Sequence, residues 1–268
     1  MVDFKIKESY SFEDLLEIMA LLRSPGGCPW DAEQTHESIR KSFIEETYEV
    51  IEAINKNDKA LLCEELGDVL LQVVFHAQIE KEENSFDISH VIDGLCKKLV
   101  ERHPHVFGSV KVDGTEEVLS NWDSIKRKSK GQKTQGSSME KVPKELPALM
   151  RAQKVQEKAR KDGFDWSDIS GAYDALEKEV KELKLAAENE SYERVIDEMG
   201  DVLFSAVNVS RFLDVDAEEA LTVANDKFIK RYLTLEKIAE ERNLNIKAMS
   251  LEELDELWDE AKKILRSN

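Results

Sequence analysis

The fold is decided by a stretch that occurs twice: Glu65-Leu66-Gly67-Asp68-Val69-Leu70, and again 133 residues later, Glu198-Met199-Gly200-Asp201-Val202-Leu203. Each copy has a glutamate and an aspartate three residues apart, directly before apolar residues. Repeats of this length are too long for the units of a solenoid, so they indicate a duplicated domain. The recurrence therefore predicts two diverged copies of one module.

Other features recur at nearly the same interval. The offset of 133 also carries Glu46 and Glu49 onto Glu179 and Glu182. Further along, 98–102 pairs with 227–231, and Trp122 pairs with Trp258, at offsets of 129 and 136. Small changes in loop length explain this drift.

Composition and periodicity both favour helices. Charged residues make up 35% of the chain and prolines number only 5. Apolar residues recur at i, i+3, i+4 and i+7, beginning with Phe12, Leu15 and Leu16, which is typical of an amphipathic helix. The predicted helices cover 11–23, 38–54, 61–82, 88–102, 116–128, 147–161, 171–187, 193–212, 217–240 and 251–265. The expected fold is all-α, with two tandem helical-bundle modules.

A polar stretch separates the modules. Residues 128–140 are rich in Lys, Gly, Gln and Ser, and contain too little apolar surface to order themselves. We therefore predict an N-terminal module over 1–127, a flexible linker over 128–142 and a C-terminal module over 143–268.

Charge and cysteine usage restrict the partners. The net charge of −18 argues against binding to nucleic acid or to an anionic membrane, and a polyanionic substrate needs a metal ion as mediator. Three cysteines without CxxC spacing fit a reducing cytoplasm. No stretch approaches the roughly 20 apolar residues of a membrane span. We expect a soluble cytoplasmic protein.

The acidic pairs predict a metal site. At about 100° per residue, Glu46 and Glu49 share one helical face, as do Glu65 and Asp68. Two such helices packed antiparallel bring four carboxylates to one point, where repulsion is costly without a cation. The second copy predicts the same for its own four acidic residues, Glu179, Glu182, Glu198 and Asp201.

Oxygen ligands alone select a hard cation. Mg²⁺ fits best, with Mn²⁺ as a substitute, while no EF-hand loop supports calcium. The alternative is that these glutamates form solvated helix faces. Apolar neighbours such as Phe43 and Val50, and the repeat itself, argue against that alternative. His103 and His105 lack partner ligands for zinc, and a packing role is favoured.

Basic and aromatic residues follow each acidic set. Lys98 and Arg102, like Lys227 and Arg231, are four residues apart and suited to contact successive phosphates. Trp122 and Trp258 are candidates for stacking on a base, although a core position is the more common use of a lone tryptophan.

These residues, together with 27–31, 45–49, 102–107, 146–154 and 163–166, resemble the MazG family of nucleoside triphosphate pyrophosphohydrolases over nearly the whole chain. The resemblance implies an all-α fold, a homodimer, and Mg²⁺-dependent hydrolysis of NTPs and dNTPs to the monophosphate and pyrophosphate. It points to Glu179, Glu182, Glu198 and Asp201 as catalytic metal ligands, with Lys227, Arg231 and Trp258 contacting the nucleotide. The N-terminal set is a second candidate.

One position departs from the family pattern. The EExxE motif is intact at Glu45, Glu46 and Glu49, but the second copy has Lys178 in place of the first glutamate. Two other hypotheses stay open. One module is a nucleotide-binding regulatory or dimer-forming platform without turnover, or the whole chain is a helical scaffold on which magnesium has no effect.

Overall fold

The computed structural model describes residues 4–129 and 135–267, and every regular element among them is helical. The chain divides into two compact units, 1–126 and 127–268. The all-α prediction is confirmed. The predicted module bounds, 1–127 and 143–268, stay a prediction, although they lie close to this division.

The first unit contains one long helical hairpin and shorter helices around it. Its elements are α1 (Phe12–Arg23), α2 (Pro29–Glu33), α3 (His36–Lys56), α4 (Lys59–Glu82), α5 (Ile88–Arg102), α6 (Pro104–Phe107) and α7 (Thr115–Ser129), whose last residues pass the division.

The turn between α3 and α4 is specified locally. Asn57 ends α3 in the left-handed conformation, with φ 53°, which asparagine tolerates better than most residues. Asp58 then caps α4 by accepting hydrogen bonds from the backbone N–H groups of Ala60 and Leu61. These two residues let the chain reverse within one turn, so α3 and α4 pack antiparallel.

Histidines join α3 to the far part of α4. The Nδ1 atoms of His36 and His76 lie 2.6 Å apart, and Nε2 of His36 is 2.8 Å from Oε1 of Glu80. The two rings are stacked, with centroids 4.9 Å apart. This contact and the short turn hold the hairpin at both ends, which fixes the register of the acidic residues between them.

The core of the first unit lies between α1, α3 and α4. Its fully buried side chains are Met19, Ile39, Val74, Phe75 and Ile79, with Phe12, Leu15, Leu16 and Leu71 packed around them. Arg23, at the end of α1, donates to both carboxylate oxygens of Glu82 and to the carbonyls of Asp31 and Gln34. The apolar stripe that predicted α1 is therefore the face that it buries.

The second unit repeats the long hairpin. Its elements are α8 (Gln135–Met139), α9 (Ala148–Lys161), α10 (Ile169–Asn189), α11 (Tyr192–Phe212), α12 (Ala217–Glu241), a 3₁₀ turn (Ile246–Ala248) and α13 (Leu251–Ser267). One core cluster joins α12 to α13 through Leu235, Ile238, Ala239, Leu257 and Ala261.

Polar contacts hold α9 and the segment after it against α11. Nε2 of Gln156 donates to the carbonyl of Phe204 at 2.8 Å. The buried guanidinium of Arg211 donates to both carboxylate oxygens of Asp165 at 2.9 and 2.6 Å. Burial would raise the pKa of Asp165, but its hydrogen bonds and charge pairing with Arg211 outweigh that effect and lower it.

The ten predicted helices all occur, with ends that differ by two residues or fewer. The short helices α2, α6 and α8 were missed. In α2 and α6 a proline occupies the first turn, where the missing N–H costs nothing, so Pro29 and Pro104 each begin a short helix outside the ten predicted ones.

The predicted linker, 128–142, falls partly on residues 130–134, outside the described part. On either side of them, α7 continues to Ser129, and α8 packs on α9 with Ser138 and Val142 only 2% and 4% exposed. Burial of Ser138 and Val142 holds α8 against α9, and the polar composition of this segment did not indicate such a contact. The linker role itself stays a prediction.

Candidate functional site: two carboxylate clusters

The first cluster lies on the α3–α4 hairpin. Carboxylate oxygens of Glu46, Glu49 and Glu65 lie within 4.8 Å of one another. Glu46 and Glu49 are one helical turn apart on α3, and the antiparallel packing places Glu65 of α4 opposite them. Asp68 is close enough to act electrostatically on both Glu46 and Glu65. Three of the four carboxylates predicted to converge therefore do so, while Asp68 lies outside the group whose oxygens are within 4.8 Å of one another.

Mutual repulsion and burial disturb this cluster. Burial, a hydrogen bond with Glu49 and the charge of Asp68 raise the pKa of Glu46. Burial and the charges of Glu49 and Asp68 likewise raise the pKa of Glu65. Among residues 4–129, no described ion pair places a cation against Glu46, Glu49 or Glu65. The neighbouring Glu45 pairs with Lys41 at 3.2 Å. The first cluster therefore carries uncompensated negative charge.

The second cluster lies on the α10–α11 hairpin and has the same arrangement. Oxygens of Glu179, Glu182 and Glu198 lie within 4.8 Å of one another. Burial raises the pKa of Glu198, Arg194 opposes that rise, and the charges of Glu182, Asp201 and Glu179 add to it. Asp201 is thus electrostatically part of the cluster, although its own side chain is exposed.

Two cationic side chains contact the carboxylates of the second cluster. Nζ of Lys178 is 2.9 Å from Glu182 and 3.6 Å from Glu179. Arg194 pairs with Glu198 and also with Asp197, at 2.6 Å for the latter. The hydrogen bond from Lys178 lowers the pKa of Glu182. At the offset of 133, the corresponding residues of the first unit are Glu45 and Leu61, neither of which is a cation.

One atom in the second cluster lacks a partner. The side chain of Glu198 is only 6% exposed, and its Oε2 is buried without a hydrogen bond among the described residues. A buried carboxylate oxygen without a donor is costly, and a bound cation removes that cost. With no nitrogen or sulfur ligand in either cluster, the donor set fits a hard divalent ion such as magnesium or manganese.

In each unit one predicted arginine lies against the predicted tryptophan. The guanidinium of Arg102 lies 5.2 Å from the ring centroid of Trp122, and Nζ of Lys126 lies 4.5 Å from it. Lys98 is exposed one turn before Arg102. Trp122 therefore contacts cations, a role that the sequence did not predict.

In the second unit, Arg231 lies 5.9 Å from the centroid of Trp258, which also contacts Phe228 and packs on the α12–α13 core. Trp258 is thus at least partly a core residue, which was the alternative to the predicted stacking on a base. Lys227 and Arg231 line a groove of about 490 Å³. The whole lining is Val223, Asp226, Lys227, Lys230, Arg231, Lys262, Leu265 and Arg266. Among the described residues, no contact joins these cations to the second carboxylate cluster.

His103 has a local role. Its Nδ1 lies 2.6 Å from the carbonyl oxygen of Leu99, at the end of α5, and its ring is 5.6 Å from that of His105. The described residues that could hold a metal form only the two acidic groups. The contact of His103 is therefore local, and the packing interpretation of His103 and His105 stays a prediction.

Sequence reasoning missed Arg194 entirely and treated Lys178 only as a departure from a motif. A signal for Arg194 existed, because it precedes Glu198 by four residues on one helix, a spacing that allows an ion pair. That spacing is common on solvated helices, so it did not distinguish Arg194 from surface cations.

No helix among the described residues is long and apolar enough to cross a membrane.

Comparison with known families matches this chain to the MazG nucleotide pyrophosphohydrolase domain over residues 34–107 and 171–235. One matched range lies in each unit, and each contains an acidic cluster and the basic pair that follows it. The duplication inferred from the repeat is therefore a duplication of this domain.

Curated relatives match over almost the full length. The "nucleoside triphosphate pyrophosphohydrolase/pyrophosphatase MazG" of Thermotoga maritima is 47% identical over 251 residues, covering 94% of this chain and 95% of the relative. The nucleoside triphosphate pyrophosphohydrolase of Escherichia coli K12 is 42% identical over 252 residues, covering 93% and 96%. A solved MazG-related protein from Thermotoga maritima is 33% identical, covers 43% of this chain and 98% of its own, and has a TM-score of 0.37.

Proposed function

Because this chain belongs to the MazG family and is a nucleoside triphosphate pyrophosphohydrolase, we propose that it uses Mg²⁺ to hydrolyse NTPs and dNTPs to the monophosphate and pyrophosphate. Mn²⁺ is the expected substitute in vitro. We place the reaction at Glu179, Glu182, Glu198 and Asp201, and treat Glu46, Glu49, Glu65 and Asp68 as a second metal site.

The observation that carries this proposal is the buried, unpartnered Oε2 of Glu198 within a three-carboxylate cluster. Lys178 and Arg194 neutralise part of the charge of this cluster but leave Oε2 of Glu198 without a donor, and a bound cation would fill that place. Since the relatives are named for nucleoside triphosphates, a divalent ion held there would also suit the oxygens of a triphosphate.

The residues of this chain have distinct parts in the reaction. Glu179, Glu182 and Glu198 would hold a magnesium ion, which would supply positive charge to the triphosphate and lower the pKa of a water molecule. A glutamate of the cluster orients the attacking water and takes its proton. The new bond joins the water oxygen to the α-phosphorus, and the bond to the bridging oxygen breaks with its electron pair leaving on pyrophosphate. Lys227 and Arg231 neutralise charge on that leaving group.

A homodimer is part of the proposal. The α3–α4 hairpin exposes large apolar side chains on the same helices as its carboxylates, and the α10–α11 hairpin does the same. In the first unit these are Ile44, Tyr48, Ile51, Leu66 and Leu70, and in the second Tyr173, Leu185, Ile196, Met199 and Leu203. Exposed apolar surface of this extent is typical of an interface, and a second copy covering it also shields the site from water.

Sedimentation tests the dimer. We expect twice the chain mass of 30.7 kDa for the native protein. Ile51→Glu with Leu66→Glu should shift the mass to that of one chain, whereas Ile6→Glu, in the exposed N-terminal segment, should not. A native protein that sediments as one chain contradicts this part of the proposal.

The three free cysteines agree with a reducing cytoplasm as the location.

The function is tested by pyrophosphate release from a panel of NTPs and dNTPs, with and without magnesium. Glu179→Gln with Glu182→Gln should abolish release, while Glu46→Gln with Glu49→Gln should retain it. The reverse pattern would move catalysis to the first unit. Activity unaffected by either pair, or by removal of magnesium, would reject the carboxylate sites altogether.

A second candidate function concerns whichever cluster does not turn over. That unit would then bind nucleotide for regulation without hydrolysing it. The charge difference between Lys178 and Glu45 favours this function, because two duplicated sites with different charges need not have the same activity. Magnesium-dependent binding of an α,β-methylene triphosphate by the full chain, persisting in the catalytically dead variant at a second stoichiometric site, would support it. A single site would remove it.

A further inference from the structure

We infer that Lys178 and Arg194 act as built-in counter-cations of the second cluster, so that the two clusters bind divalent metal with different affinities before nucleotide arrives. The first cluster takes up metal alone, whereas the second takes up metal well only when a polyphosphate draws these two cations off its carboxylates. This inference rests on the proposed function, because it assumes that both clusters are metal sites.

The argument begins with the contacts. Nζ of Lys178 lies 2.9 Å from Glu182 and 3.6 Å from Glu179, so it bridges two of the three carboxylates. Arg194 pairs with the third, Glu198. Every glutamate of the second cluster therefore has a cation against it, and a metal ion must compete with ammonium and guanidinium groups already seated.

The first cluster has no such competitors. Its geometry is the same, with three carboxylates within 4.8 Å, but position 45 is a glutamate and position 61 a leucine. The groups that act on Glu46 and Glu65 are carboxylates. A divalent ion entering this cluster displaces nothing and relieves repulsion, which favours tight binding in the absence of nucleotide.

Lys178 and Arg194 can leave the carboxylates because their side chains are exposed. The side chain of Lys178 is 63% exposed and that of Arg194 is 51% exposed, so each can swing into solvent at small cost. Oε2 of Glu198 stays without a partner even with Arg194 on Oε1, so the pairing leaves room for a further cation. A polyphosphate bound nearby offers both cations stronger acceptors than the glutamates do.

The two cations therefore couple metal to nucleotide. When Lys178 and Arg194 move from glutamate to phosphate, the carboxylates become free for metal at the same time as the phosphates gain neutralising charge. The first cluster lacks this exchange, so the same chain contains one site poised with metal and one that assembles with its substrate.

The test measures Mn²⁺ binding to the full chain without nucleotide, by the loss of the free-ion electron paramagnetic resonance signal. The first cluster is observed alone in a Glu179→Gln, Glu182→Gln background, and the second alone in a Glu46→Gln, Glu49→Gln background. We expect the first to bind Mn²⁺ at least tenfold more tightly. Equal affinities would overturn the inference while leaving the proposed function intact.

Reciprocal variants identify the cause. In the second-cluster background, Lys178→Glu and Arg194→Leu, which copy Glu45 and Leu61, should each tighten Mn²⁺ binding, together by about tenfold. In the first-cluster background, Glu45→Lys should weaken it. The matched control is Lys184→Glu, an exposed lysine on α10 about 120° around the helix from Lys178.

The outcomes separate clearly. If Lys178→Glu changes Mn²⁺ affinity no more than Lys184→Glu, only the overall charge matters and the inference fails. Because both cations are largely exposed and the first unit carries Glu45 and Leu61 at these positions, the variants should fold, which circular dichroism checks. Absence of Mn²⁺ binding in both backgrounds would overturn this inference and the metal part of the proposed function together.

Discussion

The two helical hairpins reach one geometry by different electrostatic means. On α3–α4, the pKa values of Glu46 and Glu65 are raised by burial and by like charges. On α10–α11, the same three-carboxylate arrangement is balanced by Lys178 and Arg194. The positions of the carboxylate oxygens are therefore more similar between the two hairpins than the cations that neutralise them. This is expected if the positions of the oxygens are needed to bind a metal ion and the neighbouring cations set the affinity for it.

The largest effect that sharpens this comparison is on activity. Glu198→Gln keeps size and shape but removes the buried negative charge, so pyrophosphate release should fall by about a thousandfold, roughly 4 kcal/mol of transition-state stabilisation. The matched variant in the first unit is Glu65→Gln, which should cost much less. Initial rates at saturating magnesium check this. A loss of only about half in each variant would mean that both units turn over.

The next effect compares the buried arginines. Arg211→Met leaves the carboxylate of Asp165, whose side chain is 17% exposed, without its partner and should destabilise the second unit by about 2–4 kcal/mol. Arg23→Met should cost the first unit less, about 1–3 kcal/mol, because Glu82 is partly exposed and can be hydrated. Urea unfolding measures both.

The control for these arginines is Arg242→Met, whose pair with Glu260 is half exposed and should contribute under about 1 kcal/mol. Similar losses for Arg211, Arg23 and Arg242 would show that burial does not decide the outcome.

Magnesium and pH provide a third comparison. A carboxyl whose pKa is raised on folding holds more protons in the folded state between its ordinary value of 4.5 and its raised value. The contribution of Glu46 and Glu65 to the free energy of unfolding should therefore fall as pH rises through that window in metal-free buffer. At neutral pH, magnesium at 100 times its Kd should restore about 2.7 kcal/mol.

Thermal melts across pH, with EDTA or magnesium, measure this effect. Glu46→Gln should remove much of the pH dependence and most of the response to magnesium. Burial and the charge of His36 lower the pKa of His76, which adds an opposite pH dependence below 6.5, so the comparison with Glu46→Gln decides the test. A Glu46→Gln variant with unchanged pH dependence would contradict the raised pKa of Glu46.

The smallest effect concerns the turns of the two hairpins. Asn57 adopts φ 53°, so Asn57→Ala should cost about 1 kcal/mol, whereas Asn57→Gly should be neutral or slightly stabilising. At the turn between α10 and α11, Glu190 is extended, and Glu190→Ala should change stability by less than about 0.5 kcal/mol. A larger loss at Glu190 than at Asn57 would show that the left-handed turn does not limit the first hairpin.

Helical periodicity and the internal repeat were sufficient for much of the fold. They located the long helices because amphipathic stripes such as that of α1 directly record the buried face. They also predicted that Glu46, Glu49 and Glu65 converge, since helical spacing and an antiparallel turn leave few other arrangements. The short helices α2 and α8 lack enough residues to show a period, so they were not predicted.

The electrostatic character of the site was less accessible. Lys178 and Glu182 are four residues apart on α10, so helical spacing allows their ion pair, but the same spacing is common on solvated helix faces and did not single out Lys178. The burial of Glu198 and the packing of Trp258 on the α12–α13 core arise from tertiary contacts. The groove containing Lys230, Lys262 and Arg266 joins residues of two helices and was not predicted.

The central claim is that the carboxylates of these hairpins hold a divalent metal against a triphosphate. Anomalous diffraction from crystals grown with Mn²⁺ and an α,β-methylene triphosphate tests it most directly. We predict a manganese peak about 2.2 Å from oxygens of Glu179, Glu182 and Glu198, in contact with the phosphates. Manganese found only elsewhere, with Oε2 of Glu198 still unpartnered beside a bound triphosphate, would contradict the account.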